Sequence, residues 1–222
     1  MSLKPITFYA HSLGPNPWKV VFVLKELEIP YEAKELDFPD LKKEPYESVN
    51  PNGRVPAIQD PNTGITLWES GAILEYLVET YDKEKKISFA AGSQDYFLAK
   101  QFLHFQMSGQ GPYFGQAVWF TRFHPEKVQS AVDRYVKEIR RVSGVLNRIL
   151  ADKEYLVGNK FSYADLAFIP WYLVMGLFGI DLAQEFPHVE AWLNRQKARP
   201  AIAEALKERE ALFAQQAASQ GK

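Results

Sequence analysis

Residues 52–58 read Asn-Gly-Arg-Val-Pro-Ala-Ile, and residues 68–73 read Trp-Glu-Ser-Gly-Ala-Ile. Two short runs of strand-forming residues flank the turn signal Pro-Asn-Thr-Gly at 61–64, which predicts an antiparallel β-hairpin. Apolar residues then recur with helical spacing from Ser70 to Tyr81. This part of the chain is therefore predicted to fold as two strands followed by a helix.

The residues before this stretch predict a β-α-β unit. Strand-like patterns occupy Ile6–Ala10 and Tyr31–Leu36, and Trp18–Leu27 carries an apolar helical face that ends before Pro30. Two parallel strands joined by a crossover helix, combined with the later hairpin and helix, give a small mixed sheet flanked by helices. We therefore predict an α/β, thioredoxin-like N-terminal domain at residues 1–82.

The remainder of the chain predicts helices alone. A charged and small-residue segment at 83–93 is typical of a linker, and we expect an all-α C-terminal helical domain at 94–222. Within it, Ser162 and Asp165 have the spacing of a helix capping box. Helical patterns cover 95–123, bent or broken at Gly109, Gly111 and Pro112, then 125–150, 162–176 and 189–198, and the tail after Phe213 should fray.

Composition excludes several classes of function. The 222 residues carry a net charge of −1 and no cysteine, so a basic nucleic-acid surface, a disulfide and a cysteine nucleophile are not expected. The four histidines lack metal-ligand spacing, and no glycine-rich nucleotide loop is present, so we expect no metal. No leader pattern precedes the first strand, and no run reaches the ~20 apolar residues that span a bilayer. We expect a cytoplasmic protein that makes no contact with membranes.

Three motifs resemble those of cytosolic glutathione transferases: 52–58, 68–73 and Phe-Ser-Tyr-Ala-Asp-Leu at 161–166. In addition, Gly-Pro-Asn-Pro-Trp-Lys-Val at 14–20 and Val-Asn-Pro at 49–51 are similar to the fungal transferases related to the yeast nitrogen-catabolite regulator and to the bacterial nu class. The resemblance covers nearly the whole chain. It implies a glutathione transferase fold, glutathione as co-substrate and a homodimer.

Val55-Pro56 and Glu69-Ser70 are predicted to hold the tripeptide. In the family the bond before this proline is cis, which leaves the Val55 N–H and C=O free to pair with the cysteinyl backbone; the alternative is a trans proline that begins an edge strand. Ser70 begins a helix, so its hydroxyl and the free backbone donors form an anion site for the γ-glutamyl carboxylate, and Glu69 offers a charge for the ammonium. The alternative is a simple serine cap beside an exposed glutamate.

Three residues are candidates to stabilise the glutathione thiolate. By resemblance, Asn16 lies next to the sulfur; it precedes Pro17, so it could instead be only the N-cap of its own helix. Other transferase classes use a tyrosine or serine, which makes Tyr9 and Ser12 alternatives. A thiol of pKa ~8.5 needs about 2.7 kcal/mol to be lowered by ~2 units. A helix N-terminus and one hydrogen bond to the charged sulfur together supply that amount.

The remaining ligand groups have less specific candidates. Lys42, Lys43 and Arg54 are cations that could meet the glycyl carboxylate. The electrophile should enter an apolar pocket opened by the Gly109–Gly115 break, whose predicted lining residues are Phe105, Tyr113, Phe114 and Trp119.

The predicted function is that of a glutathione transferase which directs the thiolate at electrophilic or disulfide substrates. Glutathione-dependent disulfide reduction or peroxidase activity is included, because the resemblance to the nu class implies reduction of glutathione-based disulfides without an enzyme cysteine. The alternative is a non-catalytic glutathione-binding module that regulates through protein–protein contacts. The yeast regulator carries a long Asn-rich extension before its first strand that this sequence lacks, which favours the enzyme.

Overall fold

A computed structural model describes residues 2–220 of the chain. Met1, Gly221 and Lys222, which the predicted domains include, lie outside the described residues. The chain divides into two units, one of Met1–Ser88 with Lys197–Lys222 and the other of Phe89–Gln196. The division falls inside the 83–93 segment expected to be a linker, but the C-terminal residues from Lys197 join the first unit rather than the helical one.

The first unit is built on a four-stranded sheet. Its strands are β1 (Ile6–Ala10), β2 (Tyr31–Glu35), β3 (Ala57–Asp60) and β4 (Ile65–Trp68), in the order β2-β1-β3-β4. β1 is parallel to β2, whereas the β1–β3 and β3–β4 pairs are antiparallel. This mixed sheet confirms the predicted thioredoxin-like domain.

Helices α1 (Pro15–Glu26) and α2 (Ser70–Tyr81) pack against each other in this unit. The α1 side chains are buried almost continuously from Pro17 to Leu24, because both faces of this short helix are covered. Its N-cap is Gly14, so the helix begins before the predicted Trp18.

The last helix, α10 (Pro200–Gln220), lies along α1. Lys25 Nζ contacts Glu204 and Glu208 at 2.8 and 2.7 Å. At the same end of α1, Arg199 forms a bidentate ion pair with the buried Glu26 carboxylate. Its Nε donates to Oε1 at 2.7 Å and its Nη2 donates to Oε2 at 2.8 Å. The tail that was expected to fray from Phe213 onward is helical as far as Gln220.

The second unit is helical, as predicted. Its first predicted helix is two helices, α3 (Gln94–Phe105) and α4 (Gly111–Arg122), joined by a π-helical turn at Gln106–Gln110. Within the turn, Gln106 Nε2 donates to Gln110 Oε1, and Gln110 Nε2 donates to the Phe168 carbonyl. The remaining helices are α5 (Gln129–Ile149), α6 (Tyr163–Leu166), α7 (Ile169–Tyr172), α8 (Leu182–Glu185) and α9 (Pro187–Lys197).

The capping box at the start of α6 is present. Asp165 Oδ2 accepts hydrogen bonds from the Ser162 backbone N–H at 3.0 Å and from the Ser162 hydroxyl at 2.8 Å. Its Oδ1 accepts from the Leu156 N–H at 2.9 Å and from Trp192 Nε1 at 3.0 Å. This fully buried carboxylate therefore joins three separate segments of the helical unit.

Candidate functional site

Two polar side chains hold the backbone of the turn before β3. The Arg54 carbonyl accepts hydrogen bonds from the Tyr46 hydroxyl at 2.5 Å and from Asn50 Nδ2 at 2.6 Å. Gly53 has φ +59°, and a Cβ there would lie 2.9 Å from the Leu41 carbonyl oxygen, so this position requires glycine. Residues 45–49 form a turn. These contacts fix the backbone immediately before Val55.

The Val55–Pro56 peptide bond is cis, as the family resemblance implies. β3 begins at Ala57, and its register with β1 ends where Ala57 faces Tyr9. Val55 is half-buried and precedes this ladder. Its N–H and C=O therefore lie outside the sheet pairing, in the arrangement that an added extended peptide needs.

The turn from β4 into α2 has an uncommon backbone conformation. Glu69 has φ 72° and ψ 115°, a combination that costs a non-glycine residue of order 1–3 kcal/mol and is concentrated at functional sites. The Glu69 side chain is exposed, whereas Ser70, the first residue of α2, is buried. The first turn of α2 carries no acidic residue, so its backbone donors favour an anion.

Lys19 of α1 reaches this turn from inside the unit. Its side chain is 1% exposed, and Nζ donates to Ser70 Oγ at 3.3 Å. Burial lowers the pKa of the Lys19 amine to about 7, while the negative charge of Glu69 acts in the opposite direction. Lys19 is absent from the residues predicted for the site, although its place as the one lysine in the apolar run Pro17–Leu24 is a sequence signal for a special role.

Asn16 lies in the first turn of α1 and is partly exposed. Because Gly14 is the N-cap, the alternative that Asn16 serves only as the N-cap is wrong. Asn16 and Lys19 are three residues apart and share one face of the helix. Because Lys19 contacts Ser70, the face of α1 that carries Asn16 and Lys19 is turned toward the first residue of α2.

Ser12 is engaged through both its backbone and its side chain. Its N–H donates to Glu35 Oε1 at 2.5 Å, and its carbonyl accepts from Trp18 Nε1 at 2.8 Å. Its hydroxyl accepts from Gln216 Nε2 of α10 at 2.7 Å, and the residue is 4% exposed. Ser12 therefore anchors the loop before α1.

Tyr9 belongs to a small buried cluster with Leu41, Tyr46 and Ala57. Its hydroxyl donates to Gln59 Oε1 at 2.8 Å, and its ring lies 5.4 Å from that of Tyr46. The phenol is thus already used as a donor within the protein.

The cations proposed for the glycyl carboxylate are at the surface. Lys42, Lys43 and the Arg54 side chain are exposed, and Lys43 Nζ lies 3.2 Å from Asp40 Oδ1. An exposed ion pair of this kind contributes little and is easily exchanged for a ligand.

The four aromatic residues proposed for the electrophile pocket differ in their surroundings. Phe114 is fully buried with its ring edge-on to Tyr172, and Phe105 packs on Phe168. Tyr113 packs beside Tyr135, whereas Trp119 is 47% exposed.

Residues 2–220 contain no group of three or more histidine, aspartate or glutamate side chains arranged to hold a metal ion. Over the same described range, every helix is too short or too polar to span a bilayer.

Two family models match most of the chain: the glutathione S-transferase N-terminal domain at residues 4–79 and the glutathione S-transferase C-terminal domain at residues 111–200. The chain is 50% identical over 213 residues to a glutathione S-transferase-like protein, tpcF, of Aspergillus fumigatus, with 90% of this chain and 94% of the relative covered. It is 36% identical over 242 residues to the transcriptional regulator URE2 of Saccharomyces cerevisiae, covering 92% of this chain and 68% of that protein.

Among solved structures, the chain is similar to the glutathione transferase URE2P6 from Phanerochaete chrysosporium, crystallised with oxidized glutathione. The TM-score is 0.91 at 47% identity, with 94% of this chain and 97% of the other covered. The predicted resemblance to fungal transferases related to the yeast regulator is confirmed. The chain belongs to the glutathione transferase family.

Proposed function

We propose that the first unit binds glutathione and stabilises its thiolate for attack on a second substrate. The observation that carries this proposal is the contact between Lys19 and Ser70, which brings the N-terminal turns of α1 and α2 together. Two helix N-termini on one face provide donors for two anionic groups, and a tripeptide with a carboxylate at one end and a thiolate in its middle has that charge pattern.

Each group of glutathione then has a partner in this unit. The γ-glutamyl carboxylate binds the Ser70 hydroxyl and the first turn of α2, and the ammonium binds the exposed Glu69 carboxylate. The cysteinyl backbone pairs with the N–H and C=O of Val55 beside the buried Pro56. Lys43 or Arg54 meets the glycyl carboxylate at the surface.

Asn16 is the residue we assign to the thiolate. Of the three candidates it is the one that is partly exposed, whereas Ser12 is 4% exposed and the Tyr9 hydroxyl already donates to Gln59. A hydrogen bond from the Asn16 amide to a charged sulfur contributes about 1.5–3 kcal/mol, and the α1 dipole about 0.3–1 kcal/mol. Together they suffice to lower the thiol pKa by about 2 units.

The thiolate can react in two ways. With an electrophile, its lone pair forms a carbon–sulfur bond while the leaving group departs with its electron pair. With a disulfide, it attacks one sulfur and releases the other as a thiolate, and a second glutathione completes the exchange. We propose that the aromatic residues Phe105, Tyr113, Phe114 and Trp119 shape the electrophile site in the helical unit. We further propose that the enzyme is a cytoplasmic homodimer.

Two assays run side by side test this function. We expect glutathione-dependent conjugation of a chlorodinitrobenzene, reduction of a glutathione-capped disulfide, or both. Asn16→Ala should lower the turnover more than it lowers the affinity for glutathione. Unchanged rate and affinity in that variant would remove Asn16 from the mechanism.

A second candidate function is a non-catalytic regulatory module. It is favoured by the 36% identity to a protein whose name describes a transcriptional regulator. Glutathione binding without turnover in either assay would support this alternative. Light scattering on the purified protein, together with the location of a fluorescent fusion, tests the dimer and the compartment.

A further inference from the structure

The Lys19 amine is a buried charge-bearing group to which the proposed function assigns no contact with the ligand and no proton transfer. Its side chain is 1% exposed, and lysine is seldom buried to that extent. Its Nζ donates to the same Ser70 hydroxyl that the proposed function assigns to the γ-glutamyl carboxylate. A buried amine therefore lies directly behind the hydroxyl of a proposed anion site.

Near Lys19, α1 and the first turn of α2 are uncharged, and the carboxylates of α2, Glu75 and Glu79, lie further along that helix. The residues one turn away on α1 are Pro15, Asn16, Phe22 and Val23, and the first turn of α2 is Ser-Gly-Ala-Ile, all of them uncharged. Glu69 is the carboxylate that acts on the amine.

The ion pairs that α1 makes with the C-terminal part of the chain lie away from Lys19. The ion pairs between α1 and α10 involve Lys25 and Glu26, about two turns further along α1. β1 carries one titratable side chain, Tyr9, whose hydroxyl donates to Gln59.

Burial lowers the pKa of this amine to about 7, so near neutral pH a substantial fraction of the free protein carries it uncharged. A carboxylate arriving within about 4–6 Å would favour the charged form and shift that pKa upward by about 1–3 units. Proton binding at Lys19 and ligand binding at Ser70 then reinforce each other.

We propose that the Lys19 amine, acting through the Ser70 hydroxyl, is the counter-charge for the α-carboxylate of the γ-glutamyl group and takes up a proton when that carboxylate binds. This inference rests on the proposed function and adds a positioning residue to it. Nζ donates to Ser70 Oγ, so the hydroxyl proton of Ser70 points away from Lys19, and in the proposed complex it is donated to the ligand carboxylate. The ammonium group of Lys19 polarises this hydroxyl, so the hydrogen bond from Ser70 to the ligand carboxylate is stronger than that of an isolated serine.

The coupling has a measurable size. With a pKa of about 7 in the free protein and about 2 units more in the complex, binding takes up about 0.8 proton at pH ~8 and about 0.1 proton at pH ~6. The affinity should accordingly be about ninefold weaker at the higher pH. This dependence opposes thiolate formation, which strengthens as pH rises.

The probe is S-methylglutathione, whose sulfur cannot ionise. Titration calorimetry in buffers of different ionisation enthalpy gives the number of protons taken up at each pH by the wild-type protein. Proton uptake that grows from pH ~6 to pH ~8, together with the loss of affinity, is the expected result. Binding without proton uptake would overturn the role of Lys19 and leave the proposed function standing.

Lys19→Met keeps a long unbranched side chain, one atom shorter than that of lysine, and removes the amine. It should abolish both the proton uptake and the pH dependence, while Lys25→Met, a control on the same helix, should retain them. Uptake that persists in Lys19→Met would contradict the proposal. A merely structural role for Lys19 would change stability without changing the proton count, and the wild-type measurement decides the matter even if the variant does not fold. If glutathione itself does not bind at either pH, the proposed function fails first and this inference fails with it.

Discussion

Replacing Asn16 with alanine should raise the pKa of the bound glutathione thiol by about 1–2 units. The substitution removes one hydrogen bond to a charged sulfur, about 1.5–3 kcal/mol, and each pKa unit corresponds to about 1.4 kcal/mol. The dipole of α1, about 0.3–1 kcal/mol, remains because the N-cap is Gly14 and the first turn carries no acidic residue. The helix and its contribution therefore persist in the variant.

The expected consequence is a pH-dependent loss of rate. If the bound thiol has a pKa of ~6.5 in the wild-type protein and ~8 in the variant, the thiolate fraction at pH ~7 falls about eightfold, and the rate recovers above pH ~9. The ultraviolet absorbance of the bound thiolate, followed as a function of pH, measures this directly. Asn194→Ala removes an exposed asparagine of α9 that donates to Glu190 and serves as the control. A thiol pKa that is equal in both variants would refute the assignment.

Three further predictions concern stability, measured by denaturant unfolding. Above pH ~7, the free energy of unfolding of the wild-type protein should rise relative to that of Lys19→Met, by up to about 1.4 kcal/mol per pH unit. The reason is that the Lys19 amine is largely neutral in the folded protein but charged in the unfolded chain. Equal dependence of the unfolding free energy on pH in the two proteins would contradict this. Asp165→Asn should lower the free energy of unfolding by about 2–5 kcal/mol, because some of the four donors around the carboxylate lose their acceptor. A loss below about 1 kcal/mol would show that these donors find other hydrogen-bond acceptors in the variant. Gly53→Ala should lower the free energy of unfolding by about 1–3 kcal/mol and weaken glutathione binding. Gly64→Ala, also at positive φ but with nothing within 4 Å of the added Cβ, should lower stability alone. Equal effects of the two variants on binding would show that the turn at Gly53 is not part of the glutathione site.

The sequence predicts the thioredoxin-like unit well because its signals are local. The hairpin turn, the strand patterns and the Ser70–Tyr81 helix each arise from residues close together in the chain, and the structure has the same helix bounds. The start of α1 differed because Pro17 also suits the first helical position, while the helix in fact begins with Pro15 after Gly14.

The features that local patterns missed depend on contacts between distant residues. Arg199, the residue before α10, contacts Glu26 of α1, 173 positions away in the chain, and the sequence pattern of α10 does not indicate this partner. The glycines around residue 109 predicted a bend, but the π-helical turn depends on Gln110 reaching the carbonyl of Phe168.

In the site, Glu69 and Ser70 could be proposed from a helix start alone. Lys19 could not be placed there from sequence alone, since its importance arises where α1 meets α2.

A crystal structure with glutathione bound tests the central claim most directly. The account predicts a γ-glutamyl carboxylate on Ser70 Oγ, a cysteinyl backbone paired with Val55 and a sulfur beside the Asn16 amide. Glutathione bound elsewhere, or bound here with its sulfur turned away from the first turn of α1, would contradict it.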